Sequence, residues 1–464
     1  MTISAFTAIS PLDGRYCARL SALAVYVSEK ALIGYRVKVE AAYLIALSGL
    51  KGFGPRRFTP REKGLLAKLS QLSDADVALV KAIETKGSAG ILATNHDVKA
   101  VEYFIRLRLE KSSLRNVLSW IHFGLTSEDV NNISYALMLR DTLSNILTPK
   151  LEEIVAVLTK LAETHAALPM PARTHGQPAS PTTFGKEIRV FSERLANELF
   201  ELKNVSIPAK LNGATGNYNA LVAAFPKIDW LRFSARFVES FNKRGTIRLT
   251  PNLFTTQIEP HDGYARICHG FSRVNTILIG FDQDIWRYIS DGWVAQRLEK
   301  GEIGSSTMPH KINPIDFENS EGNLGVANAL LNHFAAKLPI SRLQRDLSDS
   351  TVERNFGSAL AYSYLGYDSL VRGLGKITPD ARAMKAALAT HPEVLAEAVQ
   401  TILRREGEAG AYEKLKELTR GKPITLDAMR VFIRKLDVSQ KVKKELLNLR
   451  PETYTGLAAK IAQL

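Results

Sequence analysis

Four apolar stripes restrict the possible folds more than any other feature of the chain. Phe184, Ile188, Phe191, Leu195, Leu199 and Leu202 are spaced four, three, four, four and three residues apart. Ile267, Phe271, Val274, Leu278, Phe281 and Ile285 follow the rhythm four, three, four, three, four. A third stripe runs through Phe356, Leu360, Tyr367, Leu370 and Leu374, and a fourth opens with Val130, Ile133 and Leu137. Such spacing gives each helix one buried face, and its near-heptad form suits long helices packed almost parallel. Strand-like alternation is scarce. The expected fold is mostly α, with three helical domains and a central long-helix bundle. The expected divisions are 1–115 for an N-terminal helical domain, 116–367 for the bundle and 368–464 for a C-terminal helical domain. In the last of these, Pro379, Pro392, Pro423 and Pro451 punctuate shorter helices.

The 464 residues are 45% hydrophobic and 23% charged, the balance of a globular chain with a large core. No run of 18 or more apolar residues suggests a membrane span. The opening MTISAFTAISPLDGRY lacks the basic and apolar regions of a secretion signal. Two cysteines, Cys17 and Cys268, form no CxxC pair, so a reducing cytoplasm is expected. Cys268 reads as a small buried hydrophobe. A net charge of +14 raises nucleic acid as a partner. However, the densest basic runs, Lys414 to Lys422 and Arg434 to Lys444, alternate with acids as solvated helix faces do. No nucleic-acid partner is expected, and the positive field suits a polyanionic small substrate instead. There is no GxGxxG, Walker loop, HExxH or metal-ligand spacing, so neither cofactor nor metal is expected.

Polar segments interrupt the helices. Residues 301–323 read GEIGSSTMPHKINPIDFENSEGN. Glycines, the paired hydroxyls Ser305 and Ser306, and the cation Lys311 precede a helix that Pro314 can start. This arrangement suits a closing loop over an anion. Asn313, Glu318 and Asn319 follow; Glu318 can either orient an imidazole or be solvated. Pro11–Tyr16 forms a turn that presents Arg15 and Tyr16. Asn95, His96 and Asp97 can read a heterocycle edge or cap a helix. Thr126 and Ser127, with Asp129, can cap a helix or hold a carboxylate. Four prolines between Pro169 and Pro181 prevent a regular helix, so His175 is expected on an irregular, rigid segment before a long helix. It is a candidate acid or base there, because its ordinary pKa of about 6.5 lies near working pH. Residues 342–354 bring Arg345 and Arg354 near Ser350 and Thr351, a set able to bind phosphate.

These segments together resemble the adenylosuccinate lyase branch of the fumarase/aspartase superfamily along nearly the whole chain. The resemblance is carried by SPLDGRY, TNHDVKAVEYF, IHFGLTSEDVNN, RTHGQPASPTTFGKE, NGATGNYNA, TTQIEPHD, GSSTMPHKINPIDFENSEGN and SRLQRDLSDSTVERN. It implies β-elimination of fumarate from succinylated purine-pathway nucleotides, namely adenylosuccinate and the succinylo-carboxamide imidazole nucleotide. By resemblance Ser305 is the base, His175 the acid and Glu318 the carboxylate that orients the histidine. Lys311 and Asn313 match residues that hold succinyl carboxylate; Thr126, Ser127, Gln257, Ser306, His122 and Asn319 match further substrate positions. Asn95, His96 and Asp97 match the nucleobase side, and Arg15, Tyr16, Arg345, Ser350, Thr351 and Arg354 the phosphate and ribose side. The resemblance also implies a homotetramer whose active sites are shared between subunits. The segment Glu84 to Ala93 looks longer and richer in glycine than its family counterpart. Two alternatives stand beside this reading: another lyase of the superfamily, such as argininosuccinate lyase or fumarase, or an inactive structural protein on the lyase fold.

Overall fold

The computed structural model describes residues 6–243, 247–297, 308, 310–408, 410, 413 and 424–464. Ser305, Ser306 and the Lys414 to Lys422 run lie outside the described residues, apart from their neighbours at the edges. The chain divides into two compact units. The first comprises residues 1–151, 198–276 and 323–366; the second comprises 152–197, 277–322 and 367–464.

Helices dominate, as the stripes require. The stripes lie in the helices Ser127–Thr142, Phe184–Asn204, Asp262–Ser290 and Phe356–Leu374. Their apolar positions are buried, apart from the half-buried Phe191. The Ser127–Thr142 helix goes further than its stripe. Every residue from Glu128 to Arg140 is buried, so polar side chains must find partners inside. Ser134 donates to the Val130 carbonyl at 2.7 Å, and Asn132 donates to the Lys210 carbonyl at 3.1 Å.

The first unit has a core of Ile33, Val37, Leu44, Val101, Phe104 and their neighbours. Here the glycine-rich segment before Asn95 closes on itself. Ser88 and Ile91 exchange backbone hydrogen bonds at 2.9 Å across a turn in which Ala89 and Gly90 both have positive φ. Thr94 and Asn95 then bond back to the Ile83 and Glu84 carbonyls. The segment is therefore a hairpin pinned to the preceding helix.

In the second unit Leu395, Val399, Leu403, Met429, Ile433 and Leu446 form a separate core. The proline-rich segment is more ordered than expected. It forms an antiparallel pair, β1 (Pro169–Thr174) and β2 (Gln177–Thr183), with a register shift between Met170 and Ala172. A two-stranded sheet has only edges, and edges and bulges are where prolines are tolerated.

Candidate active site

In the first unit, packing at the start of the Ser127–Thr142 helix gathers several candidates. The Thr126 backbone N–H donates to Asp129 Oδ2 at 2.9 Å, which completes the cap read from the sequence. Asp129 is fully buried and also accepts from the backbone N–H groups of Asn212 and Gly213. Lys210, equally buried, lies 3.2 Å from Asp129 and donates to the carbonyls of Gly213 and Gln257. One buried ion pair thus ties Asn212, Gly213 and Gln257 to the helix start. Capping uses Asp129, which leaves the Ser127 hydroxyl to face His96 Nε2 at 3.2 Å.

His96 caps the next polar segment, its Nδ1 accepting from the Lys99 N–H at 3.3 Å. Asn95 before it has a φ of +48°, a conformation that costs a non-glycine residue roughly 1–3 kcal/mol. Asp97 accepts from Arg36 at 2.8 Å and from Arg354 at 2.7 Å. Burial would raise its pKa. The Arg36 charge, the Val98 N–H and Arg354 outweigh that and hold it at about 2. Arg345 meets Glu128 at 3.1 Å, Asp349 at 3.5 Å and the Gln257 side-chain oxygen Oε1 at 3.4 Å. Segments 96–97, 127–128, 257 and 345–354, far apart in sequence, therefore meet within the first unit.

His122 also has positive φ, at +60°, and its Nδ1 lies 2.5 Å from the buried Glu40 carboxylate. Burial works against a charged ring, but the Glu40 hydrogen bond and charge win and raise the pKa. Ser350 donates its N–H to Asp349 at 2.6 Å, and the Thr351 carbonyl accepts from Asn355. Arg15 is exposed and makes no ion pair with a described residue, and the Tyr16 ring faces Arg19 at 5.8 Å.

In the second unit His175 is exposed at the tip of the β1–β2 hairpin. Thr174 pairs with Gln177, so His175 and Gly176 form a two-residue loop, with φ of +52° and +76°. Both central residues at positive φ suit a type I′ turn. Lys311 is exposed, its N–H bonded to the Met308 carbonyl, and Asn313 is half-buried. The helix Ile315–Lys337 begins just beyond. Asp316 anchors its first turn through Lys376 at 2.8 Å and Arg372 at 3.3 Å. Glu318 and Asn319 are exposed; Glu318 accepts from the Trp286 indole at 3.2 Å and makes no hydrogen bond to His175 within the chain.

Sequence reasoning passed over Lys210, Glu128, His261 and Glu353, all buried in the first unit. Glu128, His261 and Glu353 lie within the quoted motifs but have no role read from them; as an acid in the first turn of a helix, Glu128 reads equally well as a dipole contact.

Residues 67–328 match the family model described as Lyase, and residues 341–455 match the one described as adenylosuccinate lyase C-terminal. The fold is shared with proteins of solved structure. It is similar to a fumarate lyase from Mesorhizobium sp. BNC1, with a TM-score of 0.73 at 18% identity over 95% of this chain and 96% of that one. It is also similar to the 3-carboxy-cis,cis-muconate lactonizing enzyme of Pseudomonas putida, with a TM-score of 0.68 at 22% identity over 95% of each chain. The adenylosuccinate lyase of Legionella pneumophila (strain Corby) is 46% identical over 100% of this chain and 99% of that protein. The adenylosuccinate lyase of Escherichia coli (strain K12) is 44% identical over 99% of this chain and 98% of that protein. The chain belongs to the adenylosuccinate lyase family.

Proposed function

We propose that this chain is a C–N lyase that eliminates fumarate from adenylosuccinate to give AMP, and from the succinylated carboxamide imidazole nucleotide to give its free amine. A base takes a proton from Cβ of the succinyl group, and the electron pair forms the double bond of fumarate. The C–N bond breaks and an acid protonates the departing nitrogen. By family resemblance Ser305 is the base, His175 the acid and Glu318 the carboxylate that orients it. Lys311, Asn313, Thr126, Ser127 and Gln257 hold the succinyl carboxylates, with Ser306, His122 and Asn319 beside them. The negative charge that develops on the succinyl group is stabilised by such fixed donors. Asn95, His96 and Asp97 face the base, and Arg15, Tyr16, Arg345, Ser350, Thr351 and Arg354 face the ribose and phosphate.

The observation that carries this reading is the meeting of His96, Asp97, Ser127, Gln257, Arg345 and Arg354. Two arginines held by carboxylates, one buried (Glu128) and one partly exposed (Asp97), near hydroxyls at a helix start, are suited to a substrate with separate anionic ends. A substrate without phosphate leaves the arginine end unused.

The assembly proposed is a homotetramer in which each site draws on more than one copy of the chain. The place of action proposed is the cytoplasm; no described helix is long and apolar enough to cross a membrane. The test is stoichiometric. Purified protein incubated with either nucleotide should release fumarate and the matching nucleotide product one for one. Product without fumarate rules the reading out.

A further inference from the structure

Behind Arg345 lies a group of buried charges that no step above uses. Glu128 begins the Ser127–Thr142 helix, Asp349 and Glu353 belong to the helix Ser348–Glu353, and His261 precedes the Asp262–Ser290 helix. All four are at most 2% exposed, whereas the Arg345 side chain is 16% exposed. His261 Nε2 lies 3.3 Å from Glu353 Oε1, its Nδ1 faces the Leu338 carbonyl, and its ring stacks on Tyr264. The His261 N–H donates to Glu259. Tyr135 completes the surroundings, its buried hydroxyl also without a hydrogen-bond partner among the described residues.

Buried polar atoms are seldom left without hydrogen bonds. Here both carboxylate oxygens of Glu128, Nε2 of His261, Oε1 of Glu353 and Nε of Arg345 lack one among the described residues. These atoms are held by charge instead. Three carboxylates (Glu128, Asp349, Glu353) face two cations (Arg345, His261). Burial and the neighbouring Glu353 push Glu128 well above the ordinary carboxylate range, against the pull of Arg345 and His261, so its charge and its grip on Arg345 are gained as pH rises. The carboxylates lie deeper than the guanidinium, and the far side of the guanidinium faces Gln257.

We propose that Glu128, braced by His261 and Glu353, is a positioning residue that fixes the Arg345 guanidinium from beneath so that its outer N–H groups meet the substrate phosphate. The proposal rests on the adenylosuccinate reading above. A neutral amide at position 128 keeps the volume but loses the charge that fixes the fork, so phosphate-bearing ligands should weaken and phosphate-free ones should not.

The test compares Glu128→Gln and Glu128→Asp with Arg345→Met and the unaltered enzyme. It reads KM and kcat for adenylosuccinate, inhibition constants for AMP and for fumarate, and the pH profile of KM. Glu128→Gln should raise KM and the AMP constant about tenfold, the size of one lost charge-assisted contact. The fumarate constant should stay within about twofold, and the pH dependence of KM should flatten. Glu128→Asp should recover part of the loss. If Glu128→Gln does not fold, Glu353→Gln is read in the same way. The proposal is overturned if Arg345→Met weakens AMP tenfold while Glu128→Gln leaves it within twofold, or if Glu128→Gln weakens AMP and fumarate equally. If Arg345→Met itself leaves KM and AMP binding unchanged, the phosphate clamp fails, and the positioning role with it. The ligand atoms of Glu128, His261 and Glu353 also lie within 4.8 Å of one another, a spacing open to a metal ion. Stoichiometric metal in the purified enzyme, with KM rising on chelation, would assign the cluster to that ion instead.

Discussion

Arg354 reaches Asp97 at 2.7 Å although 257 residues separate them in sequence. The same carboxylate oxygen holds Arg36, whose side chain is only 2% exposed. Asp97 therefore joins two roles. It keeps a buried guanidinium paired, and it sets the place of an arginine assigned to the phosphate side.

Asp97→Ala should consequently cost stability as well as binding. A buried charge stripped of its partner costs about 3–5 kcal/mol. Asp97 is partly exposed, and Arg36 keeps a bond to Asn131 at 2.9 Å, so about 2 kcal/mol is expected. The sign of the pH dependence follows from the lowered pKa. The contribution is present above the ordinary carboxylate value near 4 and is lost as pH falls through about 2. Urea denaturation at neutral pH reads the cost directly; a change below 0.5 kcal/mol, where ordinary surface substitutions fall, contradicts it.

His261 gives the opposite pH dependence. Burial would lower its pKa, but the Glu353 carboxylate 3.3 Å away raises it to about 9. The stability it contributes is full below about 6.5, its ordinary value, and is lost as pH rises through about 9. Two to three units correspond to on the order of 3 kcal/mol. The melting temperature of the unaltered protein should fall over this window, and that of His261→Gln should fall much less. Parallel profiles for the two proteins argue against this assignment.

The assignment within the serine pair is open to a direct test. Ser305→Ala should lose nearly all turnover while still binding adenylosuccinate, because a proton-abstracting group is needed in the transition state and not for capture. Ser306→Ala should be less impaired. If Ser306→Ala is dead and Ser305→Ala retains more than a few per cent of kcat, the two roles are reversed.

A shared site makes a prediction about mixtures. His175→Ala and Ser305→Ala are each expected to be inactive alone. After subunit exchange, some sites in the hybrids combine an intact His175 with an intact Ser305, and partial activity should return. Hybrids demonstrated by mass spectrometry but with no recovered fumarate release count against sharing.

Legibility in the sequence followed the range of the interactions. Helices announced themselves because burial of one face imposes a period, so Phe184 to Leu202 and Ile267 to Ile285 could be read directly. The Thr126–Asp129 cap was equally local. The hairpin carrying His175 was hidden because its prolines argue against any regular element, yet an isolated pair of strands has enough free edge to hold them. Lys210 lies in no marked segment, and His261 and Glu353 lie inside motifs without a role of their own; their meaning comes from Asp129 and Glu128, which only the fold brings close. The serine loop is the converse case, since its motif is plain while Ser305 and Ser306 lie outside the described residues.

The central claim is the identity of the substrate, and one measurement bears on it most directly. The purified enzyme is incubated separately with adenylosuccinate, argininosuccinate and malate, and fumarate is followed in each. Two anion clamps, one for succinyl carboxylates and one for phosphate, predict rapid release from adenylosuccinate and little from the other two. Fumarate from argininosuccinate or malate at a rate equal to or above that from adenylosuccinate would contradict the account.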